Sequence, residues 1–285
     1  MLKIKQNYPL KKLCTLKIGG LAHFFTQVDS VTELKEALLF AENNKLKILT
    51  IGHGSNLLFD DQGFHGLIIK NNLQTLTIND NVISVGAGFS LCKLSAITAE
   101  HNLSGLEFAI TIPATIGGAI YMNAAAHQQK MEDIVETVQF LHYNGTMLIL
   151  KKADITFAYR FSSFQHMQGI ILSATLTMKK SEDCKKKQQE IIAYRKTHQP
   201  LTQKSAGCIF KNPSNELSAG KLIDDCGLKG KRIGDALVSP IHANFIVNEN
   251  NATSRDMLEL ITLVKNVVEE KTKIQLITEI CYIPH

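Results

Sequence analysis

The sequence predicts an α+β fold that is divided into more than one domain. At 285 residues the chain is long enough for a sizeable core and for two or more domains. Strand-like and helix-like runs both occur along its length, which favours a mixed fold. A third observation is a change of character near Pro200, where a lysine-rich helical stretch ends. We therefore expect the last domain to begin close to this proline.

The first half begins with a β-α-β pattern and continues with short strands. Residues 16–25 start like a strand, and a helical spacing follows that is ended by Asn43-Asn44. The apolar face of that helix comprises Leu34, Ala37, Leu38 and Ala41. Residues 46–51 then form a buried strand that leads into a glycine loop. Further strands are expected at residues 67–70, 76–78 and 82–85, before a helix that carries Leu91, Leu94 and Ile97.

The sequence of the second half of the chain predicts a hairpin, a half-buried strand and three helices. Asn144-Gly145 lies between two apolar runs and is a strong hairpin signal. Residues 171–178 alternate between apolar and hydroxyl side chains, as a half-buried strand does. Helices are expected at residues 182–197, at residues 217–226, and after a capping box of Thr253 and Asp256. Residues 274–283 close the chain as a strand.

Composition and charge exclude several classes of function. The formal net charge is only +5, and the lysine clusters lack the interleaved aromatic residues of a nucleic-acid-binding surface. No apolar segment follows the basic N-terminus as in a secretory signal, and no apolar run is long enough to cross a bilayer. The six cysteines lack metal-ligand spacing, which favours thiols in a reducing cytosol. We therefore expect a cytoplasmic protein without a metal, a nucleic-acid partner or membrane insertion, and infer no obligate protein partner.

Two glycine loops are candidates for binding a phosphate group. Residues 105–126 carry Gly117-Gly118 and a run of small residues, whose exposed N–H groups would suit a pyrophosphate. Gly52-His53-Gly54-Ser55-Asn56 directly follows a strand, but Leu57 stands where a dinucleotide-binding fingerprint has its third glycine. From the residue types alone, a tight turn followed by a small-residue helix packed in the core explains residues 105–126 equally well, and a simple turn explains residues 52–56 at least as well.

Four places combine a reactive side chain with an unusual sequence context. Arg160 beside Tyr159 could hold a carboxylate, although an arginine at a strand edge explains the pattern as well. Cys208 follows a glycine and could act as a proton donor or as a nucleophile, whereas most lone cysteines are buried apolar residues. His242 is better explained as a satisfied structural histidine than as a substrate ligand. Glu279, among apolar neighbours, either faces solvent or belongs to a site.

Seven motifs occur in an order that resembles the MurB family of UDP-N-acetylenolpyruvoylglucosamine reductases. They are GHGSN at 52–56, IPATIGGA at 112–119 with Met122-Asn123-Ala124, YRFS at 159–162, SAGCIFKNP at 205–213, AGKLIDDCGLKG at 219–230, SPIHANFIVN at 239–248 and Thr278-Glu279. Each motif is weak by itself, but together they extend over nearly the whole chain. The region after Arg160 is similar to the shorter branch of the family, which lacks an inserted substrate-capping loop.

The resemblance implies a flavoenzyme of peptidoglycan precursor synthesis. Its fold would be a PCMH-type FAD-binding domain with lobes at residues 1–70 and 71–190, followed by a smaller α+β substrate-binding domain at residues 191–285. NADPH would reduce non-covalently bound FAD and leave. Flavin N5 would then deliver hydride to the enolpyruvyl ether of UDP-N-acetylglucosamine, and protonation of the adjacent carbon would give UDP-N-acetylmuramate.

The resemblance also assigns residues to roles. Arg160 and Glu279 match the catalytic arginine and glutamate, and Cys208 occupies the position of the proton donor, which is often serine in the family. A thiol is more acidic than a serine hydroxyl, so the replacement keeps the role. Candidate substrate contacts are Tyr159, Lys211, Asn212 and, for the UDP phosphates, Arg195. The implied cofactor contacts are Gly52, His53, Gly54, Ser55, Asn56, Leu57, Pro113, Thr115, Gly117, Gly118, Ala119 and Asn123.

The chain departs from the family pattern at three positions in the second glycine loop. Thr111, Ala114 and Ala125 stand where the family usually has glycine. A positive φ at such a position would cost about 1 kcal/mol or more for each residue. Cofactor affinity is the property that these positions would affect.

Two other functions are alternatives. His53-Gly54-Ser55 loosely resembles the loop in which some PCMH-type oxidases attach flavin covalently to a histidine. A non-enzymatic UDP-sugar-binding module would have both domains folded and no flavin. The C-terminal motifs favour the reductase, because such an oxidase has no reason to carry them.

Overall fold

Residues 2–285, which the computed structural model describes, form six α-helices and twenty-one β-strands. The helices are α1 (Val31–Asn43), α2 (Leu91–Glu100), α3 (Ile116–Tyr121), α4 (Cys184–His198), α5 (Ala219–Asp225) and α6 (Ser254–Thr272). The strands are β1 (Lys5–Pro9), β2 (Leu21–Val28), β3 (Lys47–Ile51), β4 (Leu57–Phe59), β5 (Phe64–Asn71), β6 (Leu76–Asn79), β7 (Val82–Gly86), β8 (Leu103–Ser104), β9 (Ala125–Ala126), β10 (Gln129–Lys130), β11 (Val135–His142), β12 (Met147–Lys151), β13 (Phe157–Ala158), β14 (Phe161–Ser162), β15 (Gly169–Thr177), β16 (Lys179–Lys180), β17 (Lys204–Cys208), β18 (Arg232–Ile233), β19 (Ala236–Val238), β20 (Phe245–Asn248) and β21 (Cys281–Ile283). The mixture agrees with the predicted α+β class.

The chain divides into two compact units, each of which is discontinuous in sequence. The first comprises the residues up to Lys5 together with Phe25–His53 and Gly66–Ala193. The second comprises Gln6–Phe24, Gly54–His65 and Tyr194–His285. The division therefore runs through the GHGSN motif, between His53 and Gly54.

The largest sheet of the first unit is five-stranded, in the order β12-β11-β15-β7-β6, with antiparallel pairing throughout. The predicted Asn144-Gly145 hairpin is confirmed, because β11 and β12 pair from Leu141–Met147 outward. The predicted alternation along β15 is confirmed as well: Leu172, Ala174 and Leu176 are buried, whereas the hydroxyl residues between them are partly exposed. This buried face supports the segments that carry α2 and α3.

Parallel strands and a capped helix form the opening of the first unit. Helix α1 begins after Ser30, whose hydroxyl accepts a hydrogen bond from the Glu33 N–H, and it buries the four apolar residues that the spacing predicted. Strand β3 pairs in parallel with β5, within a sheet of order β1-β2-β5-β3. The end of β3 places the GHGSN loop directly after a strand, as predicted.

The second unit is built around the sheet β17-β20-β19-β18 and the long helix α6. The predicted capping box is confirmed: Thr253 Oγ1 accepts from the Asp256 N–H, and the Asp256 carboxylate accepts from the Thr253 N–H. Helix α6 buries Met257, Leu260 and Ile261. No α-helix among the described residues is both long and apolar enough to span a bilayer.

Two predicted strands are wrong in extent. The run at residues 16–25 becomes β2 only from Leu21, because Gly19 adopts a φ of +128° and turns the chain. The predicted strand at residues 274–283 shrinks to β21. Before it, the chain makes only an isolated bridge, between Thr278 and Phe210.

Glu107 is a buried carboxylate that holds the segment after α2. It is 2% exposed and accepts hydrogen bonds from Ser104 Oγ at 2.6 Å, the Gly105 N–H at 2.7 Å and Gln129 Nε2 at 2.8 Å. Burial by itself raises the pKa of Glu107, but these donors outweigh burial and the pKa lies below its ordinary value. The charged form is therefore the one that stabilises the fold.

We expect Glu107→Gln to lower the free energy of unfolding at neutral pH by about 2 kcal/mol, because hydrogen bonds to a charged acceptor are lost. A lowered pKa contributes stability above the ordinary pKa, and this contribution disappears as the pH falls through the folded-state pKa. The difference between wild type and variant should therefore shrink on acidification. Urea unfolding from about pH 7 to about pH 3 measures it. Glu136→Gln, at an exposed position, is the control, and an equal loss in both variants would contradict the prediction.

Candidate active site

The loop that follows β3 packs against the segment before α3 in the first unit. A Cβ atom at Gly52 would lie 2.3 Å from Thr115 Oγ1, so only glycine allows the two segments to approach this closely. The His53 imidazole is hydrogen-bonded to the backbone of Pro113. Burial of part of the ring, and then the charge of Lys70, lower the pKa of His53, so that it is neutral at neutral pH. Two loops that the sequence assigns to the cofactor are therefore neighbours.

Gly54, Ser55 and Asn56 continue this loop in the second unit. Gly54 is buried and has a φ of +65°, and a Cβ atom there would lie 2.0 Å from Leu13 O. Within residues 2–285, the backbone N–H groups of Gly54, Ser55 and Asn56 donate to no acceptor. Consecutive N–H groups without an internal partner form a concave donor set that suits an anion such as a pyrophosphate.

We expect Gly54→Ala to lower the free energy of unfolding by about 3 kcal/mol, because a steric clash with Leu13 adds to left-handed strain. Gly227→Ala is the matched control, since Gly227 has a φ of +73° but no atom within 4 Å of the position that a Cβ would take. The control should lose only about 1 kcal/mol. Denaturant unfolding of both variants measures the difference. Equal losses would show that close packing at Leu13 contributes nothing.

The first turn of α3 uses its own backbone donors inside the protein. Thr115 caps the helix, and Gly118 is exposed. The three hydrogen bonds run from Ile116 N to Phe89 O (2.9 Å), from Gly117 N to Ala87 O (2.8 Å) and from Gly118 N to Thr115 Oγ1 (3.3 Å). The expectation that exposed N–H groups of Gly117-Gly118 bind a pyrophosphate is therefore corrected. What this turn offers a ligand is the open Cα of Gly118, where an added Cβ would meet only Thr115 Oγ1, at 3.4 Å.

Asn123 is a structural residue of the first unit. Its side chain is buried, with a φ of +42° that asparagine tolerates better than most residues. Nδ2 donates to Ala158 O at 3.0 Å, and Oδ1 accepts from the Glu132 N–H at 3.1 Å. Its amide fixes the strand that leads to Tyr159 and Arg160, and the assignment of Asn123 to the cofactor stays a prediction.

Arg160 lies at the turn of the hairpin formed by β13 and β14. Its φ is +56°, and Nη1 donates to Ala125 O at 3.1 Å, while the guanidinium lies 5.2 Å from the centre of the Tyr159 ring. Ser162 Oγ and Gln165 Nε2 both donate to Tyr121 O, at 2.8 and 2.9 Å. The end of α3 and the residues behind it therefore fix the arginine.

The three departures from glycine are free of left-handed strain. Thr111, Ala114 and Ala125 all have φ values outside the positive region. Ala125 is part of β9, and the Ala114 carbonyl accepts from the Leu91 N–H at 3.0 Å. The expected penalty of a positive φ therefore does not arise at these positions.

Cys208 ends β17 in the second unit and pairs with Phe245 of β20. The ladder is irregular between Ser205 and Cys208, and Gly207 has a φ of +77°. Such a bulge redirects the side chain that follows it. The Cys208 side chain is partly exposed rather than packed in the core, so the alternative of a buried apolar cysteine is wrong.

Glu279 is joined to the strand of Cys208 through the backbone. Its N–H donates to Ile209 O at 2.7 Å, and the Lys211 N–H donates to Ile277 O at 2.8 Å. Thiol and carboxylate thus belong to adjoining segments of one unit, although the sequence separates them widely. Glu279 is partly buried, and its assignment to a site stays a prediction.

The remaining predicted contacts are dispersed over both units. Tyr159 belongs to the first unit and is 51% exposed. In the second unit, Arg195 Nε donates to Gln199 Oε1 at 2.7 Å, and Asn212 Oδ1 accepts from the Ala219 N–H at 3.1 Å. His242 Nδ1 accepts from the Asn244 N–H at 3.2 Å, and burial lowers its pKa. These bonds agree with the interpretation of His242 as a structural histidine.

Comparison with known proteins identifies the same family that the ordered motifs resemble. Residues 199–283 match the profile of the UDP-N-acetylenolpyruvoylglucosamine reductase C-terminal domain, and residues 22–151 match an FAD binding domain. The UDP-N-acetylenolpyruvoylglucosamine reductase of Protochlamydia amoebophila is 44% identical over 98% of this chain and 93% of its own length. That of Caldanaerobacter subterraneus is 40% identical over 98% and 93%. The crystal structure of MurB from Thermus caldophilus covers 100% of this chain and 99% of its own, with 36% identity and a TM-score of 0.84.

This chain belongs to the MurB family. The predicted resemblance and the α+β fold class are thereby confirmed.

Sequence reasoning missed Asn244, which holds the segment behind Cys208 in this member of the family. Its buried side chain accepts from the Phe210 N–H at 2.9 Å and donates to Phe210 O at 2.8 Å. Its own carbonyl accepts from the Ile209 N–H at 2.9 Å. The signal lay in the motif SPIHANFIVN, where an asparagine precedes an apolar strand beside the chemically more conspicuous His242.

Proposed function

We propose that this chain reduces the enolpyruvyl ether of UDP-N-acetylglucosamine to UDP-N-acetylmuramate, with FAD as cofactor, NADPH as reductant and Cys208 as proton donor. Family membership carries the reaction, because a relative named for it is 44% identical over 98% of the chain. The backbone bond between Glu279 and Ile209, beside Cys208, supports the assignment of the acid chemistry. The reaction belongs to peptidoglycan precursor synthesis.

The loop at residues 53–56 fits the cofactor. The N–H groups of Gly54, Ser55 and Asn56 have no acceptor within residues 2–285, and Gly54 leaves no room for a side chain. We assign these donors to the pyrophosphate of FAD. We also assign to the cofactor Gly52, His53, Leu57, Pro113, Thr115, Gly117, Gly118, Ala119 and Asn123. When bound, FAD supplies the hydride that enters the substrate, having been reduced by NADPH.

Three side chains of the chain then handle charge and proton. Hydride addition to the vinyl group moves negative charge onto the substrate carboxylate, and the guanidinium of Arg160 stabilises that charge. Cys208 donates a proton to the carbon beside the carboxylate. Glu279 acts in the same part of the second unit as the thiol, because its N–H is bonded to the residue after Cys208.

Substrate binding is assigned to four further residues. Arg195 binds the UDP phosphates through its fork of donors, and Lys211, Asn212 and Tyr159 contact the rest of the substrate. We propose that the FAD-binding domain comprises lobes at residues 1–70 and 71–190 and that residues 191–285 bind the substrate. The match of residues 199–283 to the family's C-terminal domain supports the last of these ranges. We propose a cytoplasmic location, without nucleic-acid or obligate protein partners.

An absorbance spectrum of the purified protein tests the function. Flavin absorbance should be present, should fall on addition of NADPH without oxygen, and should return when the enolpyruvyl substrate is added. After denaturation the flavin should separate from the chain. Flavin that stays on the unfolded chain would indicate an oxidase with covalent flavin. A folded but colourless protein would indicate a UDP-sugar-binding module.

A further inference from the structure

Asn56 is bonded to the main chain on both sides of Ile280. Its side-chain Nδ2 donates to Glu279 O at 3.1 Å, and the Cys281 N–H donates to Asn56 O at 2.9 Å. Strands β4 and β21 then pair in parallel, beginning with Leu57 and Cys281. A residue 223 positions away in sequence therefore fixes the carbonyl of Glu279.

The N–H of Glu279 is held from the other direction. It donates to Ile209 O at 2.7 Å, next to Cys208. Because peptide groups are planar, fixing the N–H and the C=O of one residue fixes both planes that meet at its Cα. The direction of the Cα–Cβ bond follows from those planes, and with it the region that the Glu279 carboxyl group can reach.

The chemistry of position 56 requires a donor. The Glu279 carbonyl accepts hydrogen bonds only, and the NH₂ group of asparagine donates to it. An ionised aspartate of the same size would place an acceptor oxygen against that carbonyl, and alanine would place nothing there. The backbone N–H of Asn56, which donates to no acceptor within residues 2–285, remains a donor for a phosphate while the side chain is bonded to Glu279.

We propose that Asn56 is a positioning residue for Glu279, acting through the glutamate main chain rather than on the cofactor. The inference rests on the proposed catalytic role of Glu279. On this proposal the loop at residues 53–56 has two roles. Its N–H groups bind an anion, and its asparagine side chain orients the segment that carries Glu279.

Asn56→Asp and Asn56→Ala, made in the full-length, FAD-loaded enzyme, test the proposal. FAD content and the rate of flavin reduction by NADPH should remain within about twofold of wild type. The rate of flavin reoxidation by the enolpyruvyl substrate should fall about 10- to 100-fold, because a misplacement on the order of 1 Å has an effect of that size. The loss should appear in kcat, and the KM for NADPH should not rise. Agreement between the two variants excludes an effect of side-chain volume.

Asn81→Ala is the matched control, because Asn81 Nδ2 donates to Met178 O at 3.0 Å, the same kind of bond in the first unit. It should leave both half-reactions unchanged. Loss of FAD or of flavin reduction in the Asn56 variants would overturn the proposal, as would a reoxidation rate equal to that of the control. Glu279→Gln separates the proposed catalytic role of Glu279 from the proposed positioning role of Asn56. If that variant turns over at the wild-type rate, the proposed role of Glu279 fails; if it is slow while the Asn56 variants are not, only the positioning role fails.

Discussion

Cys208→Ala is expected to keep flavin reduction by NADPH and to slow reduction of the enolpyruvyl substrate by about 10²- to 10⁴-fold. The proposed mechanism needs a proton from this thiol, and alanine has none to give. Gly207 and the irregular end of β17 set the backbone before this residue, so the substitution removes the donor without removing the bulge. Stopped-flow measurement of the two half-reactions separates the effects.

Two further variants make the result specific to the proton donor. Cys208→Ser restores a donor at the same place and should keep the second half-reaction within about tenfold of wild type. Cys92→Ala removes another partly exposed thiol, located on α2, and should change neither half-reaction. Normal turnover by Cys208→Ala would refute the role, and an equal loss in Cys208→Ser would point to a defect in packing.

The sequence predicts local elements well where one physical signal dominates. Apolar spacing located α1, and period-two alternation located β15, because each pattern describes one buried face. Asn144-Gly145 located a hairpin through the φ of +88° that Gly145 adopts. Thr253 and Asp256 located the start of α6 through two reciprocal hydrogen bonds. These interactions are local in sequence, so the identities of neighbouring residues are enough to predict them.

Contacts between distant segments were not predictable in the same way. The sequence around Gly117 suggested an anion-binding N–H, but this N–H is bonded to Ala87 O. The residues adjacent to Gly117 in sequence do not predict that acceptor. The resemblance assigns Asn123 and Asn56 to the cofactor, and it does not predict that their amides also bond to Ala158 O and Glu279 O. Asparagine donates and accepts, so its role follows from its partner rather than from its type. For that reason the resemblance assigns side chains to the reaction, whereas the residues that hold the neighbouring segments become visible only in the structure.

Arg160→Lys is expected to slow reduction of the enolpyruvyl substrate by about 10²- to 10³-fold while flavin reduction by NADPH persists. Lysine keeps the positive charge but loses the planar fork that grips a carboxylate with two donors. It also loses the bond from Nη1 to Ala125 O. Single-turnover kinetics with reduced enzyme measure the loss. Arg255→Lys, at an exposed ion pair with Glu259 on α6, should leave both half-reactions unchanged.

The left-handed backbone at Arg160 gives a second way to separate chemistry from folding. A non-glycine residue at a φ of +56° carries strain of about 1 kcal/mol, which lysine retains and glycine relieves. Arg160→Gly should therefore change the free energy of unfolding by less than about 1 kcal/mol, since relief of strain offsets the lost hydrogen bond to Ala125 O. Its reduction of the substrate should nevertheless fall at least as far as that of Arg160→Lys. A chain that stays folded, binds FAD and accepts electrons but cannot pass them to the enolpyruvyl group would locate the function of Arg160 in the second half-reaction. Loss confined to flavin reduction would contradict the role. On the proposed role of Arg160, the hairpin tolerates this strain because the position requires a guanidinium.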